Sequence, residues 1–370
     1  MNLSYWEYKT WLSHIDFAIV GSGIVGLNCA IRLREKHPKA KIVIFERGVL
    51  PQGASTKNAG FACFGSISEI LADLRSHSKD EVFHLVSQRW KGIRLLRSTL
   101  GDKNIDFQRN GGYELFLKQQ KVLYENCLDR IAEINHFLKP IFGANPFSSC
   151  PNSFHFKQIK EHYIKHAFEG QLDTGKMMMG LLQLAQQKGI IVLNSIAVND
   201  IMENQGKVSL QTDAFECQAR KLFIATNGFA SQLLNENVKP ARSQVVITKP
   251  IQNLGIKGTF HLDEGYYYFR NIDNRIMLGG GRNLDLEGEK TVVFGQTELI
   301  QNRLQELLEQ VILPTTIFEI DQRWSGVMGV GKEKKPIVKQ VSENVTCGIR
   351  LGGMGVAIGS LIGKELADLV

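Results

Sequence analysis

Three glycines near the amino terminus have the spacing of a site for a dinucleotide phosphate. Gly21, Gly23 and Gly26 form the pattern GxGxxG directly after the apolar run 17–20, and Glu46 follows about twenty residues later. The glycines permit a tight turn, let the backbone approach a pyrophosphate, and allow the next helix to pack closely on the sheet. The first N–H groups of that helix would face the phosphates, and Glu46 would accept hydrogen bonds from a ribose diol. These residues predict a dinucleotide-binding βαβ unit.

A polar, glycine-rich stretch follows the second predicted strand. In "RGVLPQGASTKNAGF", Ser55 and Thr56 offer hydroxyl groups to a pyrophosphate or a ribityl chain. Asn58, Ala59 and Gly60 are small enough for the backbone to lie against a flat ring system. In an NAD enzyme the second strand usually leads directly into another βαβ unit. This stretch therefore favours FAD, bound in an extended conformation.

The elements that must position these residues recur along the chain. A strand, a glycine turn and a helix are predicted at the amino terminus, again in "KLFIATNGFASQLL" and again in "GIRLGGMGVAIGSLIGKELADLV". Helices are predicted over 69–100 and 121–138, and a hairpin over Asp106–Leu117 with its turn at Asn110-Gly111. The segments between are rich in β-pattern. This interleaving predicts one domain assembled from three pieces, with a second domain inserted between them.

The composition is that of a globular protein. The 370 residues are 43% hydrophobic and 22% charged, and the formal net charge is +7. The basic residues are spread along the chain, so a mildly basic surface is favoured over an RNA-binding patch. Six cysteines without a CxxC pair predict neither a zinc ribbon nor a redox dithiol, and fit a reducing cytoplasm. We find no signal-peptide pattern and no apolar run of the ~20 residues that a membrane span needs.

Taken together, the motifs resemble those of the D-amino-acid-oxidase-type FAD-dependent oxidoreductases, which include glycine oxidase, sarcosine oxidase and γ-glutamylputrescine oxidase. The matching segments are "GSGIVG", "GASTKNAG", "KLFIATNGFAS", "GYYYFRNIDNRIMLGGGR" and "RWSGVMGVGKEKKPIV…LGGMGV". They cover most of the chain apart from about 65–160 and 285–320.

The resemblance implies a mixed α/β fold. A glutathione-reductase-like FAD-binding Rossmann domain would comprise residues 14–80, 160–240 and 325–370. An inserted antiparallel β-sheet domain for the substrate would comprise residues 81–159 and 241–324.

The resemblance also implies a set of residues around non-covalent FAD. Val198 matches a position whose backbone faces the adenine, and the glycines that begin at Gly352 match the loop under the pyrimidine edge of the flavin. The residues expected to bind FAD are Gly21, Gly23, Ile24, Gly26, Glu46, Arg47, Ser55, Thr56, Asn58, Ala59, Gly60, Phe61, Val198, Ala225, Thr226, Asn227, Gly228, Gly352, Gly353, Met354, Gly355 and Val356.

The expected catalytic and substrate residues lie on a predicted strand. Alternation would point Tyr266, Tyr268 and Arg270 to one face, above the flavin. The arginine with which part of the family holds a substrate carboxylate is replaced by Met328, so Arg270 or Arg242 would have to take its place. No cysteine lies near 327–331, where the sarcosine branch tethers its flavin, and Met277 sits near the place of that branch's oxygen-activating lysine.

The resemblance implies oxidation of a C–N bond of an amine or amino acid, by hydride transfer to flavin N5, giving an imine that hydrolyses. The electron acceptor is expected to be oxygen or a quinone. A 2-hydroxy acid or glycerol-phosphate dehydrogenase remains an alternative, as does a tRNA-modification flavoprotein, although no nucleic acid partner is expected. A flavin-binding sensor without turnover is a further alternative.

Two histidines have a spacing that metal ligands on a helix can have. His162 and His166 stand at i and i+4 in "HYIKH". No third ligand or HExxH glutamate accompanies them, so a solvated helix face is predicted rather than a metal site.

Overall fold

A computed structural model of the protein describes residues 2–204 and 206–370. The amino-terminal strand Ile15–Val20 is central in the first of two large sheets and pairs in parallel on both sides. Its residues are almost all buried and apolar, as in a strand that is covered on both faces. Across the sheet the strands are Ile337–Gln340, Val345–Ile349, Glu216–Ile224, Ile15–Val20, Ile42–Phe45 and Ile191–Leu193, and the ribbon Lys207–Thr212 and Val198–Asn204 pairs onto Glu216–Ile224.

The second sheet is largely antiparallel. Thr259–Leu262 and Gly112–Leu115 are its parallel pair. In spatial order its strands are Ile320–Val330, Lys239–Thr248, Arg275–Gly280, Tyr267–Ile272, Thr259–Leu262, Gly112–Leu115, His162–His166 and Phe147–Pro151. A short pair, Phe61–Ala62 with Gly170–Gln171, lies apart from both large sheets.

Helices cover the sheets. Three of them begin with a serine capping box, in which a glutamate three residues on completes the cap. The α-helices are Tyr5–Glu7, Ile24–Lys36, Ile67–Ser76, Lys79–Leu100, Lys121–Asp129, Ile131–Phe142, Thr174–Gln187, Glu298–Leu307 and Gly355–Asp368; π-helical turns occupy Tyr8–Leu12 and Leu308–Ile312, and 3-10 turns occupy Ala54–Thr56, Asn227–Gln232 and Arg282–Leu284. None of the helices in the described part of the chain is both long and apolar enough to cross a membrane.

Separate cores lie on the two sheets. One core packs the helices Ile24–Lys36 and Gly355–Asp368 against the first sheet, and a smaller one fills the opposite face of that sheet. A third lies between the second sheet and the helix Glu298–Leu307. A fourth, small cluster joins the second sheet to the loop before and at Phe61.

The mixed α/β class is confirmed, with a parallel sheet of Rossmann type and a second, mainly antiparallel sheet. Three strands of the second sheet depart from the predicted domain limits. His162–His166, the start of Lys239–Thr248 and the end of Ile320–Val330 belong to this sheet, although the sequence predicts 160–240 and 325–370 in the first domain. The division into domains itself stays a prediction.

Two local predictions were wrong. Residues 106–117 do not form a hairpin, because Gln108 pairs with Gln171 while Gly112–Leu115 pairs with Thr259–Leu262 and His162–His166. The segment His162–His166 is likewise a strand and not a helix. A spacing of four residues places two side chains on one face of either element, so it does not distinguish them.

Candidate functional site

The glycine turn lies at the carboxyl edge of the central strand. Gly21 donates its N–H to the Phe45 carbonyl at 2.9 Å, and a Cβ at Gly26 would lie 1.9 Å from the Gly21 oxygen. Gly26 is therefore required by the close approach of helix and turn. The helix Ile24–Lys36 has no side-chain cap on its own first residues, and its Ile24 N–H donates to Ser55 Oγ at 3.0 Å. The helix thus begins at this edge with its Ile24 N–H taken by Ser55, and the partial positive charge of its amino terminus suits a phosphate.

Glu46 is buried beside this turn and oriented by four hydrogen bonds. Its Oε2 accepts from the N–H and the hydroxyl of Ser22 at 3.1 and 2.8 Å. Its Oε1 accepts from the N–H groups of Gly48 and Gln52 at 3.0 and 3.3 Å. The carboxylate is held at the end of the second strand, where the sequence analysis expects a ribose.

The stretch before Phe61 is internally braced. Asn58 donates through Nδ2 to the carbonyls of Ala54 and Ser55, and its Oδ1 accepts from the Gly60 N–H at 2.8 Å and from Thr174 at 2.9 Å. Thr56 turns its hydroxyl to the Pro51 carbonyl at 2.6 Å. The loop is therefore shaped without a ligand, and the Thr56 hydroxyl is engaged by the protein itself.

The second and third glycine turns meet the first at the same edge. Ala225 donates to the Val20 carbonyl at 2.9 Å, and Asn227 Oδ1 accepts from the Leu351 N–H at 3.1 Å. A Cβ at Gly228 would lie 2.6 Å from the Met328 oxygen. The turn at 225–228 is thus joined to the first strand by a backbone bond and to the turn at 351–356 through the Asn227 side chain.

Several features of this edge fit a bound dinucleotide. Thr226 Oγ1 is buried without a hydrogen-bond partner in the described residues. A Cβ at Gly352 or Gly355 would enter open space, whereas one at Gly353 would only reach the Met328 sulfur at 3.8 Å. The helix Gly355–Asp368 begins here after Met354, followed by the buried Val356, and its amino terminus presents a partial positive charge to the same edge.

Two expected residues lie farther along the edge. Val198 begins the strand Val198–Asn204, just after a segment in which Ile196 donates to the Glu46 carbonyl at 2.9 Å. Arg47 stacks over the Phe229 ring at 3.7 Å. The segment that leads into Val198 is therefore bonded to Glu46, while Arg47 is held by an aromatic face.

A small apolar cluster forms where the second sheet faces the loop. Its side chains are aliphatic, aromatic or sulfur-containing, and Cys63 Sγ lies 3.5 Å from Met354 Sδ. We call it the chamber cluster; it comprises Ala59, Phe61, Cys63, Val245 and Met277, with Ile247, Tyr268, Ile272, Trp324 and Met354 packed against it.

The structure brings together two of the three predicted substrate residues. Tyr268 lies 5.6 Å from the Phe61 ring and shares a 3.0 Å hydrogen bond with the Ser243 hydroxyl; burial raises its pKa. Arg270 projects to the same loop. Tyr266 precedes the strand Tyr267–Ile272 and packs against the core on the other side of the sheet. A turn through Asp263 and Glu264, both with positive φ, interrupts the alternation before it.

Both arginines considered for a substrate carboxylate are already engaged. Arg270 Nη1 donates to the carbonyls of Ala59, Gly60 and Leu172 at 3.1, 3.2 and 2.6 Å. Burial lowers its pKa to about 10, which leaves it charged at neutral pH. Arg242 forms a two-pronged pair with the fully buried Glu289, at 2.9 and 2.7 Å.

Some residues of the site lay outside the sequence prediction. Trp324 donates its indole N–H to the Lys57 carbonyl at 3.0 Å and so links the second sheet to the loop. The Thr174 hydroxyl donates to Asn58 in the loop, and the Ser243 hydroxyl shares a hydrogen bond with Tyr268 in the chamber cluster. Only Trp324 stood in a recognised motif; a lone hydroxyl residue carries no pattern that sequence reasoning could use.

Comparisons with known proteins agree with this geometry. The family model described as "DAO: FAD dependent oxidoreductase" matches residues 16–369. The chain is 22% identical to "Probable oxidoreductase OrdL" of Haemophilus influenzae, over 98% of this chain and 84% of that protein. Among solved structures it resembles glycine oxidase from Geobacillus kaustophilus, with a TM-score of 0.78, 18% identity, and coverage of 96% of this chain and 94% of the other. Iminodiacetate oxidase from Chelativorans sp. BNC1 has a TM-score of 0.74 at 18% identity, with 95% and 94% covered.

Proposed function

Because the chain belongs to this family of FAD-dependent oxidoreductases, we propose that it oxidises a C–N bond of an amine or amino acid to an imine, which water then hydrolyses. FAD is the cofactor, and when bound it supplies the acceptor for the hydride that leaves the substrate carbon. The proposal extends to the residues: the three glycine turns hold the dinucleotide, and the chamber cluster receives the substrate.

The observation that carries the proposal is the chemistry of the chamber cluster. Its side chains are aromatic, aliphatic or sulfur-containing, and its polar members are the Tyr268 hydroxyl and the Cys63 thiol, whose pKa values burial raises. An alcohol substrate needs a base to take its O–H proton as the hydride leaves. An amine needs none once it is bound as the neutral free base, so this cluster suits an amine.

The side chains of the chamber cluster would orient the substrate and exclude water from it. Tyr268 and Trp324 are fixed by hydrogen bonds to Ser243 and Lys57, so both rings present a stable surface to a substrate. A dry, rigid surface holds the reacting C–H in position and protects the imine until it is released.

The test is a set of turnover measurements with the FAD-loaded protein. N-methyl amino acids, D-amino acids, glutamylated polyamines and 2-hydroxy acids would each be incubated in air and, separately, with a soluble quinone. We expect a carbonyl product and a released amine or ammonia from at least one nitrogen compound. Turnover of hydroxy acids alone would overturn the proposal. Comparing the rates in air and with the quinone would show which of the two is the electron acceptor.

A further inference from the structure

A buried ion pair lies on the face of the second sheet that carries Tyr268. His261 Nε2 and Glu169 Oε2 are 2.9 Å apart, and the two side chains keep only 7% and 0% of their exposure. The glutamate also accepts from the Thr259 hydroxyl at 3.2 Å. A Cβ at residue 112 would lie 1.9 Å from the Glu169 carboxylate, so Gly112 makes the room for it.

The strand register places His261 next to the chamber cluster. His261 stands opposite Tyr268 in the antiparallel pair, so both side chains lie on one face of the sheet. Its ring is perpendicular to that of Phe61, with 5.4 Å between the ring centres. Phe61 is thus contacted by both His261 and Tyr268.

One nitrogen of the His261 ring is unused. Within the described residues the imidazole makes a single hydrogen bond, through Nε2, and Nδ1 has no partner. Nδ1 is not fully enclosed by the protein, so it keeps some access to open space. A buried polar group in this position is normally satisfied by a ligand or by water.

The surroundings keep this imidazole charged. Burial by itself lowers its pKa, but the charge and hydrogen bond of Glu169, with the charges of Glu69 and Glu114, raise the pKa of His261 to about 9. Burial likewise opposes the ionisation of Glu169, yet His261 keeps its pKa below the usual value. Further titratable neighbours are Tyr268 and Cys63, whose pKa values burial raises, and His166, whose pKa burial lowers to about 4. Nδ1 is therefore an N–H donor at neutral pH.

We propose that His261 Nδ1–H donates a hydrogen bond to an oxygen atom of the substrate, and that Glu169 is the positioning residue that holds the ring and its proton in place. This inference rests on the proposed function for the identity of the ligand as an amine that also carries a carboxylate or an amide. Arg242 is paired with Glu289, Arg270 is held by backbone carbonyls through Nη1 and Nε, and Met328 stands at the expected carboxylate arginine. The pair thus supplies the polar recognition that the chamber cluster otherwise lacks.

The first measurement needs no turnover. The nine histidines would be labelled with ¹⁵N in the FAD-loaded protein, and the His261 signal assigned with His261→Gln. We expect a ring protonated at both nitrogens that loses a proton only as the pH approaches about 9, and that does so at lower pH in Glu169→Gln. A wild-type ring already neutral at pH 7 would overturn the proposal. If His261→Gln fails to fold, His261→Asn serves for the assignment.

The second measurement adds acetate or acetamide as probes. If acetate shifts the Nδ1 signal, the partner is a carboxylate. If acetamide shifts it, the partner is an amide. If neither probe moves it, the proposal is wrong.

Turnover separates this inference from the proposed function. With the amine that the enzyme oxidises best, His261→Gln should raise KM roughly 10- to 100-fold, the value of one hydrogen bond to a charged group. The control is His162→Gln, on the exposed end of the strand His162–His166, which should leave KM unchanged. An active enzyme whose KM is unaltered by His261→Gln contradicts this inference alone. Binding of a probe without oxidation of any amine contradicts the proposed function alone.

Discussion

Single side chains decide how the loop before Phe61 is held. Arg270 donates to four backbone carbonyls, and through Nη1 it reaches those of Ala59, Gly60 and Leu172. Gly60 is required at the centre of this contact, because its φ is +71° and a Cβ would lie 2.2 Å from the Leu172 oxygen. The geometry therefore favours a role for Arg270 in shaping the cofactor loop, in addition to its predicted role toward the substrate.

Replacing Arg270 tests this role. In Arg270→Met the buried carbonyls lose a charged donor, which costs about 1.5–3 kcal/mol per hydrogen bond. We expect the dissociation constant for FAD to rise roughly 10- to 100-fold, as measured by titrating the apoprotein with FAD. Arg75→Ala, whose side chain is exposed and paired with Glu264, is the matched control and should bind FAD normally. An unchanged FAD affinity in Arg270→Met, with only KM raised, would assign Arg270 to the substrate.

His166 gives the protein a sensitivity to acid. Its ring is enclosed by Phe64, Phe142 and Phe147, and burial lowers its pKa to about 4 despite the nearby charge of Glu169. The unfolded chain takes up this proton near pH 6.5, whereas the folded chain does so only near pH 4. The contribution of His166 to stability is therefore lost as the pH falls from 6.5 to 4, by about 3 kcal/mol.

Denaturant unfolding at a series of pH values measures this contribution. We expect His166→Phe to lose less stability than the wild type between pH 6.5 and 4, since the replacement does not titrate. His162→Gln, on the same strand but exposed, should follow the wild-type curve. Parallel curves for His166→Phe and the wild type would show that His166 is not the source of this loss of stability.

At the scale of elements, a close glycine contact joins the first and last long helices of the Rossmann part. A Cβ at Gly363 would lie 2.6 Å from the Val25 oxygen and 2.7 Å from the Asn28 Cβ. A Cβ at Gly359 would lie 2.8 Å from the Ile24 side chain. The helix Gly355–Asp368 therefore lies directly on the helix Ile24–Lys36, and both helices begin at the dinucleotide edge.

Gly363→Ala should separate the two helices. Overpacking of this kind costs about 1–3 kcal/mol, partly offset by the better helix propensity of alanine. We expect a lower free energy of unfolding in denaturant and weaker FAD binding, because both helix starts move. The neighbouring Lys364→Ala, which removes a surface pair with Asp368, should change stability by less than about 1 kcal/mol. Equal free energies of unfolding for the two variants would show that the close contact at Gly363 does not contribute to stability.

The elements differ in how far the sequence could predict them. The turn at Gly21–Gly26 was predictable because strand, turn and helix are contiguous and their spacing is specific. The strand at His162–His166 was not, since its pairing with Gly112–Leu115 is decided by distant chain. The Glu169–His261 pair joins residues 92 positions apart, and the partners of Arg270 include carbonyls about 100 and 210 residues away. No local sequence pattern predicts such contacts.

At the scale of the whole molecule, the site exists because distant segments converge. The first sheet unites strands from the amino terminus, the middle and the carboxyl terminus, and their glycine turns meet at one edge. The second sheet faces the loop at Phe61 through the chamber cluster, and the Trp324–Lys57 bond fixes the two parts together. Under the proposed function, this arrangement would bring the flavin and a dry substrate surface into one place, as oxidation of an amine requires.

The most direct test of that account is anaerobic reduction of the bound flavin by matched pairs of compounds. Each pair would be an amino acid, as its D- or N-methyl form, and the 2-hydroxy acid with the same carbon skeleton. The account predicts that the protein binds FAD, that acid releases the flavin intact, and that the yellow absorption band is lost with a nitrogen compound and kept with its hydroxy counterpart. A protein that takes up no FAD, or a flavin that only hydroxy acids reduce, would contradict it.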